Sequence, residues 1–509
     1  MVPFSGIGFL LRHCFLNPMG FSDLVRHVPK ILVMRAAFVP ILAMGVLVGC
    51  SLGSGRGDRS ASQGATGGQG ISAHARILQS YGGVYEDAAL KAYVENIVRA
   101  IARQTELPEA AYALTLLDSP LANAMALSDG RVYITRGMLA LANDEAQLAG
   151  VLAHEMGHVN ARHIANRRDA AKDIALLDNV VGGLFGEDGP GLMSRSGLLA
   201  GYSRHQEDEA DRLAVTYLDR AGYDPIAVSD VLSTMDAYAT HRAGLVDREF
   251  YADAGSWFAN HPETQDRVLR TAERAHSLRL SGRPKMRGRA RYLAAIDGLL
   301  YGTSPDQGYV RGQRFVHMVQ RYQFEVPPSF RLLNTDKVVW AIGPDKVVVK
   351  FDHARVPVGL DPVAYLSEEW AASLALRDVH QFEIAGLASA SARMRFQGLN
   401  TLAVVIAARP GEVYRFLIGV PPQVGDRHND AISQIVSSFR LMDQNDEGLG
   451  PLRIMVVETS KSGPLAQVSR DLGVSVRDRA ELELLNGLAR GAFVPARTRV
   501  KLITEDPSS

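Results

Sequence analysis

Apolar residues recur at helical spacing across residues 88–104, AALKAYVENIVRAIARQ, and this period predicts an amphipathic helix. Residues 112–117 read as a strand. Two short apolar runs then flank Ser128-Asp129-Gly130, and Asp-Gly in that setting predicts a hairpin. Leu148, Val151, Leu152 and Met156 form the apolar stripe of a second helix. Asn143 and Asp144 are its cap candidates, with Gln147 three residues past Asp144 as an imperfect capping box. Gly157 sits inside that helix at a cost of about 1 kcal/mol, which predicts a neighbour packed close against it. A third helix runs from the region of Tyr202 through Leu218 and ends near Gly222, with Pro225 beyond.

Beyond residue 315 the period shortens and strands dominate. Residues 338–342 and 346–351 flank Gly343-Pro344-Asp345, and residues 402–407 and 413–418 flank Pro410-Gly411, predicting two hairpins. Helical patterns lie at 361–376 and 429–439. The tail predicts a strand at 454–457, helices at 464–472 and 479–485, and a strand at 500–503. The expected order is a mainly α domain over 76–280, a linker over 281–310, an α+β domain with an antiparallel sheet over 311–443, and a small βααβ module over 451–504. The linker is expected because residues 280–291, LSGRPKMRGRAR, are basic and contain Gly and Pro.

Composition narrows the class without deciding it. The 509 residues are 47% hydrophobic and 22% charged, as in a globular protein. Lys+Arg and Asp+Glu are 55 each, so no charge excess points to nucleic acid, and no nucleic-acid partner is expected. Of the two Cys, Cys50 closes Leu47-Val48-Gly49-Cys50 after an apolar run at 36–49 and the basic residues Lys30 and Arg35. That is a signal-peptide pattern over residues 1–49, too short to span a membrane as a mature helix. The tetrapeptide resembles a bacterial lipobox, which implies a lipidated Cys50 as a membrane anchor; an ordinary secretory signal or a short buried helix is the alternative. Ser51 after the Cys is the pattern that similar lipoproteins use for the outer membrane. Residues 51–70 are Gly- and Ser-rich, and a flexible tether is expected over 50–75. No other run approaches 18 apolar residues.

The chemistry concentrates in His154-Glu155-Met156-Gly157-His158. On a helix, residues four apart share a face, so both imidazoles can ligate one tetrahedral Zn²⁺. Glu155 is placed to reach a water on that metal. A site with two His needs a third protein ligand and an open position. Glu207, in the later run Tyr202 to Asp211, fits. Asp211, one turn on, is placed to accept the free ring N–H of a ligating His. The glycines between residues 180 and 201 suit either a lid over the metal or a plain surface loop.

H-E-x-x-H, a Gly-rich gap, then S-R-x-x-E-x-E-A-D resembles the HtpX/BepA-type gluzincin metallopeptidases. NAMALSDGRVYITRGML resembles their edge-strand segment, and Asn260-His261-Pro262-Glu263-Thr264 with Arg267 resembles their His-Pro segment. The resemblance covers roughly residues 76–280. It implies His154, His158 and Glu207 as zinc ligands, Glu155 as general base, and Asp211 as a partner acid. Its carboxylate suits an orienting role better than proton donation. His261 resembles a residue that in some relatives caps the zinc and holds the enzyme latent; an ordinary loop His is the alternative. Tyr202, His205, His261 and Arg267 are the candidates for stabilising an oxyanion. The chain shows neither the membrane helices of the HtpX branch nor the 34-residue helical repeats of the BepA branch.

Two weaker likenesses complete the fold class: a mainly α zincin-like peptidase domain with a small edge-strand hairpin, an α+β domain and a LysM-like βααβ module. YQFEVPPSF and IVSSFRLM resemble the opening and close of PsbP-like domains. Residues 452–503 resemble a LysM module, departing from it at Ser462-Gly463-Pro464-Leu465 and Pro495-Ala496-Arg497. The module either binds peptidoglycan or is a structural unit that has lost that role. The expectation is a zinc endopeptidase of the bacterial cell envelope with protein or peptide substrates, lipid-anchored at the periplasmic face of the outer membrane. An assembly or chaperone lipoprotein with a latent protease, and a peptidoglycan-binding protein, are the alternatives.

Overall fold

The computed structural model describes residues 72–506, apart from 108, 110–111, 166–201, 246–256, 258–260, 262–264, 280–284, 335–337, 444–445, 447–448 and 475–477. Cys50, its signal and lipobox, the tether up to residue 70 and the glycines of 180–201 therefore lie outside the described residues.

The first part of the chain is built around one central helix. Helices α1 (Ala73–Ser80) and α2 (Ala88–Ala102) lead into strands β1 (Ala113–Leu117), β2 (Ala124–Ala126) and β3 (Arg131–Thr135). These form a three-stranded sheet in the order β1-β3-β2, with β1 parallel and β2 antiparallel to β3. The expected hairpin is present, and Gly130 takes the positive φ of 84° that its turn requires. Thr135 ends β3 and caps the short helix α3 (Arg136–Leu141), which leads directly to α4 (Glu145–Asn160).

Helix α4 starts where its cap predicts: the Asp144 side chain accepts from the Gln147 N–H. Gln147 reaches back to the Asn143 N–H at 2.8 Å, one residue short of a true capping box. The sequence pattern shows one apolar stripe, yet every residue from Glu145 to Val159 is buried. The reason is the small residues on its other faces. A Cβ on Gly157 would lie 3.2 Å from the Ala210 carbonyl oxygen and 3.4 Å from the Leu213 Cβ. The expected close neighbour is thus helix α5 (Arg204–Arg220), which opens with a full Ser203/Gln206 capping box and is followed by Gly222 at φ 84°. Helices α6 (Ile226–Leu245) and α7 (Gln265–Arg279) complete the surround.

The stretch expected as a linker is structured. Helix α8 (Arg289–Ile296) buries Tyr292, Leu293 and Ile296 in the same core as α4. Its arginines are anchors rather than solvated charge: Arg291 pairs with the buried Glu145, and Arg289 donates to the Asn143 carbonyl at 2.7 Å.

Strand β4 (Leu300–Tyr301) follows. Strands β5 (Tyr309–Arg311), β6 (Arg314–His317) and β7 (Tyr322–Glu325) belong to a four-stranded sheet that β15 (Arg440–Leu441) closes. Between them lie β8 (Arg331–Asn334), β9 (Val339–Ile342), β10 (Val348–Arg355), β11 (Arg377–Ile384), β12 (Leu387–Phe396), β13 (Leu399–Arg409) and β14 (Glu412–Val420). These make a seven-stranded antiparallel sheet, ordered β11-β12-β13-β14-β10-β9-β8, and both expected hairpins are in it. Helix α9 (Asn429–Ser437) packs on an aromatic core that includes Phe324, Phe351, Phe416 and Phe439. The helix expected over 361–376 is shorter. Helical turns span 362–370 and stop at Trp370, whose ring lies under the Arg415 guanidinium.

The tail follows its predicted order: β16 (Leu452–Glu458), α10 (Leu465–Asp471), α11 (Arg479–Leu485) and β19 (Arg499–Glu505), with short strands β17 (Gly463–Pro464) and β18 (Phe493–Val494) between. It has a small core of Leu465, Leu482, Val494, Val500 and Leu502. It is also bonded to the front of the chain. Strand β16 pairs with β4, and Ile454 and Leu485 belong to the core that surrounds α4. Lys501, fully buried, donates to the carbonyls of Ala140 at 2.7 Å and Ala142 at 2.8 Å, at the end of α3. No helix among the described residues is long and apolar enough to cross a membrane.

Candidate metal centre

Helix α4 sets His154 and His158 one above the other, as their spacing dictates. Their Nε2 atoms lie 3.1 Å apart. Helix α5 crosses at Gly157 and brings Glu207 to both: its carboxylate oxygens are 3.5 Å from each of these nitrogens. A fourth group joins them from outside both helices. His261 Nδ1 is 3.2 Å from His154 Nε2 and 3.0 Å from a Glu207 oxygen. One donor atom from each of His154, His158, Glu207 and His261 lies within 4.8 Å of every other, and all four residues are buried.

The donor set fits a tetrahedral metal ion. Ligands at about 2.0–2.1 Å from a tetrahedral zinc are about 3.3–3.4 Å from each other; five of the six edges here, taken to the nearer Glu207 oxygen, run from 3.0 to 3.5 Å, and all four donors lie within 4.8 Å. A proton can join two such atoms but not all four together, whereas one cation satisfies them at once. Three imidazoles and a carboxylate are also a borderline-soft set suited to zinc.

The carboxylates around the cluster have separate environments. Glu155 is 1% exposed, and burial pushes its pKa up to about 8; the Ala126 backbone N–H pulls the other way. Its Oε1 is 3.3 Å from His261 Nε2. Burial alone would raise Glu207 as well, but His261 and His154 hold it far below the carboxylate range. Asp211 accepts from the Arg267 guanidinium at 2.8 and 2.9 Å, and one of its oxygens lies 2.9 Å from His154 Nδ1. Arg267 Nη1 also lies 2.8 Å from a Glu207 oxygen, so one buried guanidinium is ion-paired with two of the carboxylates of α5, Glu207 and Asp211. Burial disfavours a charged His154, yet its bonds to Asp211 and Glu207 outweigh that and raise it to about 10. His261, with burial dominant, is lowered to about 4.

All five residues singled out from the sequence, His154, Glu155, His158, Glu207 and Asp211, meet here. Of the oxyanion candidates, His205 is exposed and Arg267 is engaged behind the carboxylates. Tyr202 stacks on His158 at 3.7 Å between ring centroids, and His261 is within the cluster. Sequence reasoning passed over Trp257, which stacks on His261 at 4.1 Å and is 1% exposed. Nothing in the local pattern marks it. It also passed over His163, whose Nδ1 lies 3.0 Å from His158 Nδ1. Its place five residues after His158 was the available signal.

Residues 88–275 match the model of Peptidase family M48. Over 220 residues the chain is 25% identical to the beta-barrel assembly-enhancing protease of Escherichia coli, covering 40% of this chain and 43% of that protein. Over 184 residues it is 29% identical to the mitochondrial metalloendopeptidase OMA1 of Schizosaccharomyces pombe, covering 36% of this chain and 52% of that protein. The chain thus spans about half the length of the curated relatives it matches. Among solved structures, cyanobacterial PsbP from Synechocystis aligns with 26% of this chain and 98% of its own at 15% identity, with a TM-score of 0.21.

Proposed function

We propose that the chain, whose residues 88–275 match the model of Peptidase family M48, is a zinc-dependent endopeptidase of the bacterial cell envelope. The observation that carries this reading is the convergence of His154, His158 and Glu207 donors beside the buried Glu155. His154, His158 and Glu207 would hold the zinc. When bound, it lowers the pKa of a water toward about 7 and polarises a carbonyl. Glu155, its pKa raised by burial, takes the water's proton and returns it to the leaving amine. Asp211 keeps the His154 proton on Nδ1, leaving Nε2 free to ligate. Strand β2 pairs with β3 on one side only, and its Ala126 N–H reaches Glu155. A substrate in extended form would add beside β2 through main-chain bonds, with its scissile bond near Glu155.

Envelope proteins that misfold or fail to assemble are the proposed substrates; the likeness to a beta-barrel assembly-enhancing protease supports the link to assembly. The anchor at Cys50 and a position at the periplasmic face of the outer membrane belong to the same proposal and rest on the lipobox pattern. A peptidoglycan contact through the βααβ unit rests only on the strand and helix order.

The test is cleavage of an unfolded protein by the purified chain and by Glu155→Gln, with bound zinc measured in both. Glu155→Gln is expected to lose several orders of magnitude in kcat while keeping its metal. A variant that still cleaves removes Glu155 from the mechanism.

One observation favours a second reading, a protease held latent. His261 stands on the cluster through Nδ1 and faces Glu155 through Nε2, so it takes the position a water needs. On that reading His261→Ala raises peptidase activity; a lower rate with unchanged zinc content removes it.

A further inference from the structure

The motif continues past its second histidine as His158-Val159-Asn160-Ala161-Arg162-His163, and the last residue has no part in the chemistry above. Helix α4 ends at Asn160, and Arg162 then takes φ 57°, a left-handed conformation that a side chain other than glycine rarely adopts. That reversal turns the next residue back along the helix. His163 is 4% exposed, and its Nδ1 lies 3.0 Å from His158 Nδ1. Its other nitrogen, Nε2, is 3.3 Å from an oxygen of Glu209, which α5 carries two residues after Glu207.

The proton positions along this chain of groups follow from its ends. The Glu209 carboxylate accepts only, so His163 Nε2 carries the proton that it donates. His163 Nδ1 is then an acceptor, and the partner across 3.0 Å must donate, so His158 carries its proton on Nδ1. His158 Nε2, the atom facing His154 and Glu207, is thereby left with a free lone pair. Tyr202, stacked on the ring at 3.7 Å, restricts its tilt. His154 has Asp211 beside its outer nitrogen. Among the described residues, the outer nitrogen of His158 reaches a carboxylate through a second imidazole.

We propose that His163 and Glu209 are positioning residues that fix the tautomer and ring orientation of His158 for metal binding. The proposal rests on the metal-centre reading above. The strained backbone at Arg162 is what this placement requires of the fold.

The experiment is Zn²⁺ titration against a chromophoric chelator, with metal-free unfolding followed in parallel, on the full chain and on His163→Leu, His163→Gln and Glu209→Leu. Loss of an outer partner to a ligating histidine weakens metal binding about 10–100-fold, and His163→Leu is expected in that range. His163→Gln presents an amide oxygen to His158 Nδ1–H and is expected to restore most of the affinity, which a purely packing role would not produce. Glu209→Leu is expected to weaken binding less than His163→Leu does. The proposal is overturned if folded His163→Leu binds Zn²⁺ within about twofold of the unaltered chain, or if His163→Gln is as weak as His163→Leu. Should His163→Leu not fold, Glu209→Leu decides, and an unchanged affinity there overturns the proposal. An unaltered chain that takes up no Zn²⁺ brings down the metal-centre reading and this proposal together. Binding that is tight in every variant brings down this proposal alone.

Discussion

Replacing Lys501 with methionine tests how firmly the last strand is tied to the elements that carry His154 and His158. The amine is fully buried and donates to the Ala140 and Ala142 carbonyls at 2.7 and 2.8 Å, with Leu141 at 3.5 Å. These are the orphan carbonyls of α3, one turn before the Asp144 cap of α4. Methionine keeps the stem and removes the donor. Two short bonds are lost, and a buried acceptor left alone costs about 1–3 kcal/mol, or about 2–6 kcal/mol for the pair. Methionine is also spared the cost of desolvating the amine, which offsets part of this. A net loss of about 2–3 kcal/mol at pH 7 is expected. Burial holds the Lys501 pKa well below its ordinary value, so the folded chain gives up this proton before the unfolded chain does. Between the two pKa values the unfolded state binds more protons, and stability rises with pH. That stability is complete above the unfolded pKa and is lost as pH falls toward the folded one. The gap between the unaltered chain and Lys501→Met should therefore widen by up to about 1.4 kcal/mol per pH unit from pH 7 toward 10. Urea unfolding at pH 7 and 9, read by tryptophan fluorescence, measures it. Trp257 lies against His261, so the signal reports on the candidate site. A variant within about 0.5 kcal/mol at pH 7, with no widening at pH 9, refutes the reasoning.

Three further changes act on the contacts that assemble the site. Gly157→Val forces α4 away from the Ala210 backbone, already 3.2 Å from where a Cβ would sit; about 1–3 kcal/mol of stability and a weaker Zn²⁺ affinity should be lost together in melting and chelator titration. Gly137→Ala places a methyl on the Pro120 carbonyl oxygen and should fold poorly, seen as loss of soluble protein despite alanine's better helix propensity. Arg267→Met strands Glu207 and Asp211 in a buried site, so metal-free protein should lose about 3–5 kcal/mol, with part recovered in denaturant titrations when Zn²⁺ is added.

The ligand-bearing helices were legible because their signals are local. The spacing of His154 and His158, the Asp144 cap, the Asp129-Gly130 turn and the Gly222 stop each depend on a few neighbouring residues. That Glu207 and Asp211 share a face followed from their i, i+4 spacing; that this face meets the His pair was implied by the order of the motifs and the family resemblance. What stayed hidden was set by contacts between distant residues. Trp257 lies under His261 because of tertiary packing, with no periodic mark in the sequence. The run 280–291 looked like a linker because it is basic and contains Gly and Pro, but Arg289 and Arg291 open α8 and bond to the Asn143 carbonyl and to Glu145. The all-round burial of α4 was only partly visible: Gly157 signalled a close neighbour, but neither that this is Ala210 nor that Gly150 meets Val228 on another face.

Ile454 and Leu485 fill gaps around the helix that bears His154 and His158, although some three hundred residues separate them from it along the chain. A ribosome making this protein therefore emits the catalytic motif long before it emits the pieces that finish the motif's surroundings. Until residues near 500 emerge, the core around that helix is incomplete, and Lys501 has not yet closed over the α3 carbonyls. A half-made chain thus displays the motif before the packing that holds it is finished.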